Sequence, residues 1–228
     1  MPFARAMKTT LLILTLNEID GMRVIMPRIR REWVSDILIV DGGSTDGTLE
    51  YAREHGYRVL RQRSRGPTQA YREALEEIRD GVIINFSPDG NCIPELIPKL
   101  VAKMGEGYDM VIASRYLAGA KSEDDDAVTR FGNWLFTAAF NVLFGARYTD
   151  SLGMFRAWRR EILPVFPAHL PPRAGIEPYL NIRCAKRNLK VAEIPGDEPK
   201  RIGGQRKMSP VGNGLAIVRL ILSEYFLR

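Results

Sequence analysis

Along the first half of the chain, short apolar runs alternate with stretches whose apolar residues recur at helical spacing. Leu11–Leu16, Asp36–Val40, Tyr57–Leu60, Val82–Phe86 and Met110–Ala113 predict strands. Between them Gly21–Arg31, Thr48–His55, Thr68–Arg79 and Pro94–Lys103 predict helices, the second led by Ser44-Thr45-Asp46, whose side chains suit an N-cap. Strand and helix in alternation build βαβ units, so the expected fold is α/β: a Rossmann-like, mostly parallel sheet flanked by helices.

The second half is less regular. Lys121–Asp126 reads as a charged, mobile segment and Phe131–Phe144 as an apolar, aromatic helix. Ala174–Arg187 reads as a helix, Lys190–Ile194 as a strand and Asp197–Met208 as a basic, glycine-containing loop. Gly214–Leu227 closes the chain as an apolar helix into which Arg219 and Glu224 are set. Without an internal repeat or low-complexity linker, residues 1–228 read as one domain with a C-terminal elaboration.

Composition narrows the class. With 45% hydrophobic and 26% charged residues the chain has the makings of an ordinary core. Arg5 and Lys8 precede the first apolar run, but it leads straight into Asn17-Glu18 with no small-residue cleavage site, so it reads as a buried strand rather than a leader. No run reaches the roughly 20 apolar residues of a membrane span. The expectation is a cytoplasmic protein, peripheral at the inner face of a membrane, with Cys92 and Cys184 as free thiols. A formal charge of +6 suits a partner that carries phosphate. Nucleic acid is not expected, because the cations are scattered and no aromatic recognition motif accompanies them. Trp33, Trp134 and Trp158 read as core residues.

In open α/β sheets ligands bind beyond the carboxyl ends of the strands, so polar residues just after a strand are the first candidates for a site. Three such clusters occur in order: Thr15-Leu16-Asn17-Glu18, Asp41-Gly42-Gly43-Ser44-Thr45-Asp46-Gly47-Thr48 and Ser87-Pro88-Asp89-Gly90-Asn91. Singly each is compatible with a turn or a cap. Together, at the ends of predicted strands, they point to one ligand site.

The series resembles the family 2 glycosyltransferases of GT-A fold, in particular the dolichyl-phosphate mannose synthase-like, polyprenyl-phosphate sugar transferases. Further on, Ser114-Arg115-Tyr116, Thr149–Ala157, Glu177 and the loop Lys200–Lys207 are similar to later elements of that family. The resemblance spans roughly residues 8 to 212. It implies a nucleotide-sugar half over about 8–115, an acceptor half over about 116–212 and a terminal apolar helix at 214–227.

That resemblance implies roles. Thr15, Asn17, Glu18, Asp41, Gly43, Ser44, Asp46, Arg65 and Arg115 would surround the nucleotide sugar, with Asp41 reading the base edge and Glu18 the ribose or base. Asp89 would be catalytic as ligand of a Mg²⁺ or Mn²⁺ ion, and Asn91 would add a carbonyl oxygen. Asp150 would be the base if the acceptor is a hydroxyl. Arg130 and Arg156 would clamp an acceptor phosphate, with Glu177, Lys200, Arg201 and Lys207 on the same side. The chain departs from the family pattern at Ser87, Gly42 and Pro67, where an Asp, an Asp and a Lys are expected. Fewer carboxylates weaken a divalent-cation site.

The expected activity is inverting transfer of a sugar from a GDP- or UDP-linked donor to a polyprenyl phosphate or glycan in envelope glycan synthesis. The alternative is a non-catalytic nucleotide-sugar-binding protein with a degenerate metal motif. The terminal helix is expected to meet a membrane interface, its own domain or a second copy in a homo-oligomer.

Overall fold

The computed structural model describes residues 7–172, 175–203 and 209–226. Seven strands, β1 (Thr9–Thr15), β2 (Asp36–Asp41), β3 (Arg58–Arg61), β4 (Val82–Phe86), β5 (Met110–Ser114), β6 (Arg156–Arg159) and β7 (Val191–Pro195), form one sheet in the order β3-β2-β1-β4-β6-β5-β7. All neighbours are parallel except β6, which runs antiparallel to both β4 and β5. The helices are α1 (Ile19–Ile25), α2 (Thr48–Glu54), α3 (Pro67–Glu77), α4 (Ile97–Gly105), α5 (Ala127–Phe144), α6 (Glu177–Lys186) and α7 (Pro210–Phe226).

Residues of β1 alternate between the two faces, as the two-residue period of a strand requires. Leu12 joins a core with α3, α5, α6 and α7, whereas Leu11 and Ile13 join a second core with α1, α2 and α4. Burial on both faces is why β1, β2 and β4 read as continuous apolar runs.

Five sequence expectations change. β6 was not predicted. The helix expected at Gly21–Arg31 ends at Ile25 and passes into a 3-10 turn, Met26–Arg28, because Pro27 brings no N–H to continue it. The segment Lys121–Asp126 is tied down rather than mobile: Glu123 N–H donates to the Glu198 carbonyl at 2.8 Å and Glu198 N–H to the Lys121 carbonyl at 2.9 Å. The helix expected from Phe131 begins at Ala127, capped by Asp126, whose carboxylate accepts the Thr129 N–H at 2.7 Å. α7 also starts before Gly214, and Ala174, Leu227 and the far end of the basic loop lie outside the described residues.

Candidate active site

The loops after β1 and β2 are stapled to each other. Asn17, in the left-handed region at φ 53°, donates its N–H to Ser44 Oγ at 2.9 Å and accepts the Thr45 N–H on Oδ1 at 2.8 Å. Glu18 N–H donates to Thr48 Oγ1 at 2.9 Å and Ile19 N–H to Asp46 Oδ2 at 3.1 Å. Backbone donors at the start of α1, which have no partner inside the helix, are thus met by side chains of the neighbouring loop. Asp46 also accepts the Thr48 N–H at 3.0 Å. Burial opposes its charge, but the bonds from Thr48 and Ile19 outweigh that and hold its carboxyl below the usual range.

Asp41 is fully buried: Oδ2 accepts the N–H groups of Gly43 and Ser44 at 2.9 and 3.1 Å, and Oδ1 the Thr15 hydroxyl at 3.3 Å. Its carboxylate thereby shapes the turn at the carboxyl end of β2. At Gly42, where the family pattern has a carboxylate, an added Cβ would lie 3.3 Å from the Thr15 carbonyl. Gly43 and Arg65 are exposed beside this end of the sheet.

Asp89 follows β4. Its Oδ1 accepts the Asn91 N–H at 3.1 Å, while Oδ2 meets Arg201 Nη2 at 2.7 Å; Arg201 Nη1 is 3.7 Å from Glu18 Oε2. The carboxylates of Glu18 and Asp89 therefore converge on one cation. Gly21 permits this approach of α1 to the turn, since a Cβ there would lie 2.3 Å from the Pro88 carbonyl. Among the described residues no group of three His, Cys, Asp or Glu side chains is arranged as a metal cluster. Asp89, with Glu18 facing the same point and Asn91 on the same turn, offers hard oxygen donors of the kind that suit Mg²⁺ or Mn²⁺.

The acceptor-side expectations fare unevenly. Arg156 is wholly buried, so it is not an exposed phosphate clamp. Its guanidinium donates to Asn181 Oδ1 at 2.8 Å and to the carbonyls of Gly153 and Ser151. Glu177 is buried as well; it accepts the Tyr71 hydroxyl at 2.6 Å and the Ile176 N–H at 3.0 Å, and its charge faces Arg156 inside the fold. Arg130, at the start of α5, and Lys200 are exposed, and Lys207 lies outside the described residues.

Asp150 is fully buried and pairs with Arg115, not with Arg156: Arg115 Nε and Nη2 reach its two oxygens at 2.7 and 3.0 Å. Gly153 N–H donates to it at 2.9 Å. Burial would raise its pKa, but Arg115 outweighs burial and holds the carboxyl below its ordinary range. Arg115 Nη1 reaches Asp125 at 3.3 Å and Glu198 at 3.2 Å, and Tyr116 donates its hydroxyl to Asp125. Burial opposes the Arg115 charge, yet Asp150, Glu198 and Asp125 together raise its pKa well above the ordinary value. Burial pushes the Glu198 carboxyl up. Sequence reasoning missed Asp125 and Glu198. One sat in an acidic run and the other within a basic loop, and both contexts read as solvated surface.

The family model "Glycosyl transferase family 2" matches residues 11–165. Glycosyltransferase AglJ of Haloferax volcanii is 31% identical over 202 residues, 88% of this chain and 66% of that protein. Dolichyl-phosphate hexose transferase of the same organism is 31% identical over 210 residues, 91% of this chain and 90% of its own length. The crystal structure of glucosyl-3-phosphoglycerate synthase from Mycobacterium tuberculosis with Mn²⁺, uridine diphosphate and phosphoglyceric acid aligns with a TM-score of 0.74 over 96% of this chain and 79% of that one, at 23% identity. The chain belongs to glycosyl transferase family 2: it is a glycosyltransferase of GT-A fold.

Proposed function

We propose that this family 2 enzyme transfers a sugar, with inversion, from a nucleotide-diphosphate donor to the phosphate of a polyprenyl phosphate. The names of relatives support the acceptor class: beside the dolichyl-phosphate hexose transferase, an undecaprenyl-phosphate mannosyltransferase of Micrococcus luteus is 28% identical over 94% of this chain. The reading takes the whole chain as one catalytic domain, its donor side over about 8–115 and its acceptor side over about 116–212.

The observation that carries the proposal is the state of Asp150. An alcohol acceptor needs a base within reach of its proton. Asp150, the candidate base, is enclosed, ionised below its usual pH range and held by Arg115 and the Gly153 N–H. A phosphate monoester is already an anion and needs positioning rather than deprotonation. In this scheme Arg130 and Lys200 present charge to the acceptor phosphate, Asp150 fixes the direction of Arg115, and the stapled loops after β1 and β2 hold the nucleotide. Asp89, with Asn91 and Glu18, would hold Mg²⁺ or Mn²⁺, which when bound supplies Lewis-acid neutralisation of the departing diphosphate.

A lipid acceptor also calls for membrane contact. α5 turns Asn133 and Thr137 inward and leaves Val128, Phe131, Trp134, Leu135, Val142 and Leu143 exposed, so Trp134 is not a core residue. α7 buries Ala216, Ile217, Leu220 and Ile221 on its own domain and exposes Leu215, Val218, Leu222, Tyr225 and Phe226. The exposed charges on these helices are Arg130 and Arg219, a pattern suited to an anionic membrane surface. Among the described residues no helix is long and apolar enough to cross a bilayer. The proposed place of work is the cytoplasmic face of a membrane.

The test is incubation with UDP- and GDP-hexoses and a polyprenyl phosphate in vesicles. Formation of a glycolipid whose anomeric configuration is opposite to the donor's, read by NMR, is the expected result. Transfer only to a free glycan would sink the acceptor assignment.

A further inference from the structure

The segment after β7 crosses the Asp89 turn in close fit. The Pro199 carbonyl accepts from Asn91 Nδ2 at 2.8 Å and the Ile202 N–H donates to the Asp89 carbonyl at 2.6 Å. At Gly90, φ +95°, a Cβ would stand 2.8 Å from Ile202 Cγ1, and at Gly203 a Cβ would stand 2.8 Å from Asp20 Cβ. Only glycine fits these contacts, against the Ile202 side chain at Gly90 and the Asp20 side chain at Gly203. That seating delivers the Arg201 guanidinium into the donor site.

The oxygen it meets is the one a metal would need. Asp89 Oδ1 is occupied by the Asn91 N–H, so Oδ2 is directed at a cation, and Oδ2 carries Arg201 at 2.7 Å. Glu18 faces the same guanidinium at 3.7 Å. The Asp89 side chain is 6% exposed and that of Arg201 22%, so water screens the pair little. With Ser87 in place of a second carboxylate on the turn, one guanidinium offsets half of the negative charge that Asp89 and Glu18 bring.

We propose that Arg201 is the resident counter-ion of the donor site and sets its cation requirement. A divalent ion reaches Asp89 Oδ2 by displacing Arg201. Displacement unseats the 199–203 segment and frees the guanidinium for phosphate. The effect is reciprocal, because a cation that weakens the seating of the segment is itself weakened by that seating. The identity of the phosphate rests on the donor chemistry proposed above; the competition at Asp89 does not.

The test is Mn²⁺ titration of the full chain without nucleotide, free Mn²⁺ being read by electron paramagnetic resonance. Arg201→Gln should bind Mn²⁺ at least about tenfold more tightly than wild type. Arg53→Gln, which removes the same charge from the exposed face of α2, should match wild type, and Asp89→Asn should abolish the gain. Affinity of Arg201→Gln within twofold of wild type overturns the proposal. Should that variant fail to fold by circular dichroism, hydrogen exchange on wild type decides instead. Mn²⁺ should speed exchange of the Ile202 amide, and unchanged exchange overturns the proposal. Binding of UDP- and GDP-hexoses is measured separately. Its absence would sink the donor reading and leave the Mn²⁺ comparison standing; donor binding with no gain in Arg201→Gln would sink the counter-ion role alone.

Discussion

At residue scale, Asp89 and Ser87 occupy the two places of one turn, and only Asp89 brings a carboxylate. Asp89→Ala is therefore expected to cut transfer by about 10²-fold or more, the usual cost of removing an electrostatic stabiliser, whereas Ser87→Ala should change it little. Equal rates for the two variants in the glycolipid assay would remove Asp89 from the mechanism. Asp150 makes a prediction about acid. Its folded-state pKa is depressed, so its stabilisation is present above the ordinary value near ~4 and is lost as pH falls through the lower, folded value. Asp150→Asn should be less stable than wild type by about 1.5 to 3 kcal/mol near neutrality, and the gap should close below about pH 4. Urea denaturation across that range checks this; a gap that does not vary with pH would mean that Asp150 does not act through its charge. Asp89 and the Asp41 turn were legible because strand, turn and carboxylate are local in sequence. Arg156 was not, since a buried arginine and an exposed one are spelled alike until Asn181 and the Gly153 carbonyl are found beside it.

At the scale of elements, helical spacing found α5 but could not say which face looks inward. Its inward face carries Phe140 together with Asn133 and Thr137, which bond the Leu152 N–H at 3.2 Å and the Ser151 hydroxyl at 2.8 Å, while Val128, Phe131, Trp134, Leu135, Val142 and Leu143 stay exposed. β6 escaped prediction because Arg156 and Arg159 break the apolar run and their partners are tertiary. The exposed apolar face predicts membrane behaviour. Phe131→Ser and Trp134→Ser together should reduce flotation with anionic vesicles while shifting stability by no more than ~0.5 kcal/mol each, as for other exposed positions. Wild type that stays in the bottom fraction at low salt would refute the peripheral contact and favour a soluble acceptor.

At the scale of the molecule, the alternation of strand and helix from Thr9 to Ser114 was enough to foresee the parallel part of the sheet, and the three polar clusters do fall at the carboxyl ends of β1, β2 and β4. What was not foreseen is that β6 separates β4 from β5, contributed by residues some forty positions after β5 leaves the sheet. During synthesis this has a cost in time. The strands from β1 to β5 emerge first, yet β4 and β5 have no hydrogen-bonding partner in each other, and the nascent chain must keep a slot one strand wide between them. Two unpaired strand edges face that slot, and exposed edges invite association with other chains. A fragment ending at Arg115 is therefore expected to aggregate or stay protease-sensitive, although it holds every residue of the loops after β1, β2 and β4. Stalled chains of increasing length should gain protease resistance only once Arg159 has cleared the ribosome. Resistance already present in chains ending at Arg115 would show that the first five strands fold without β6.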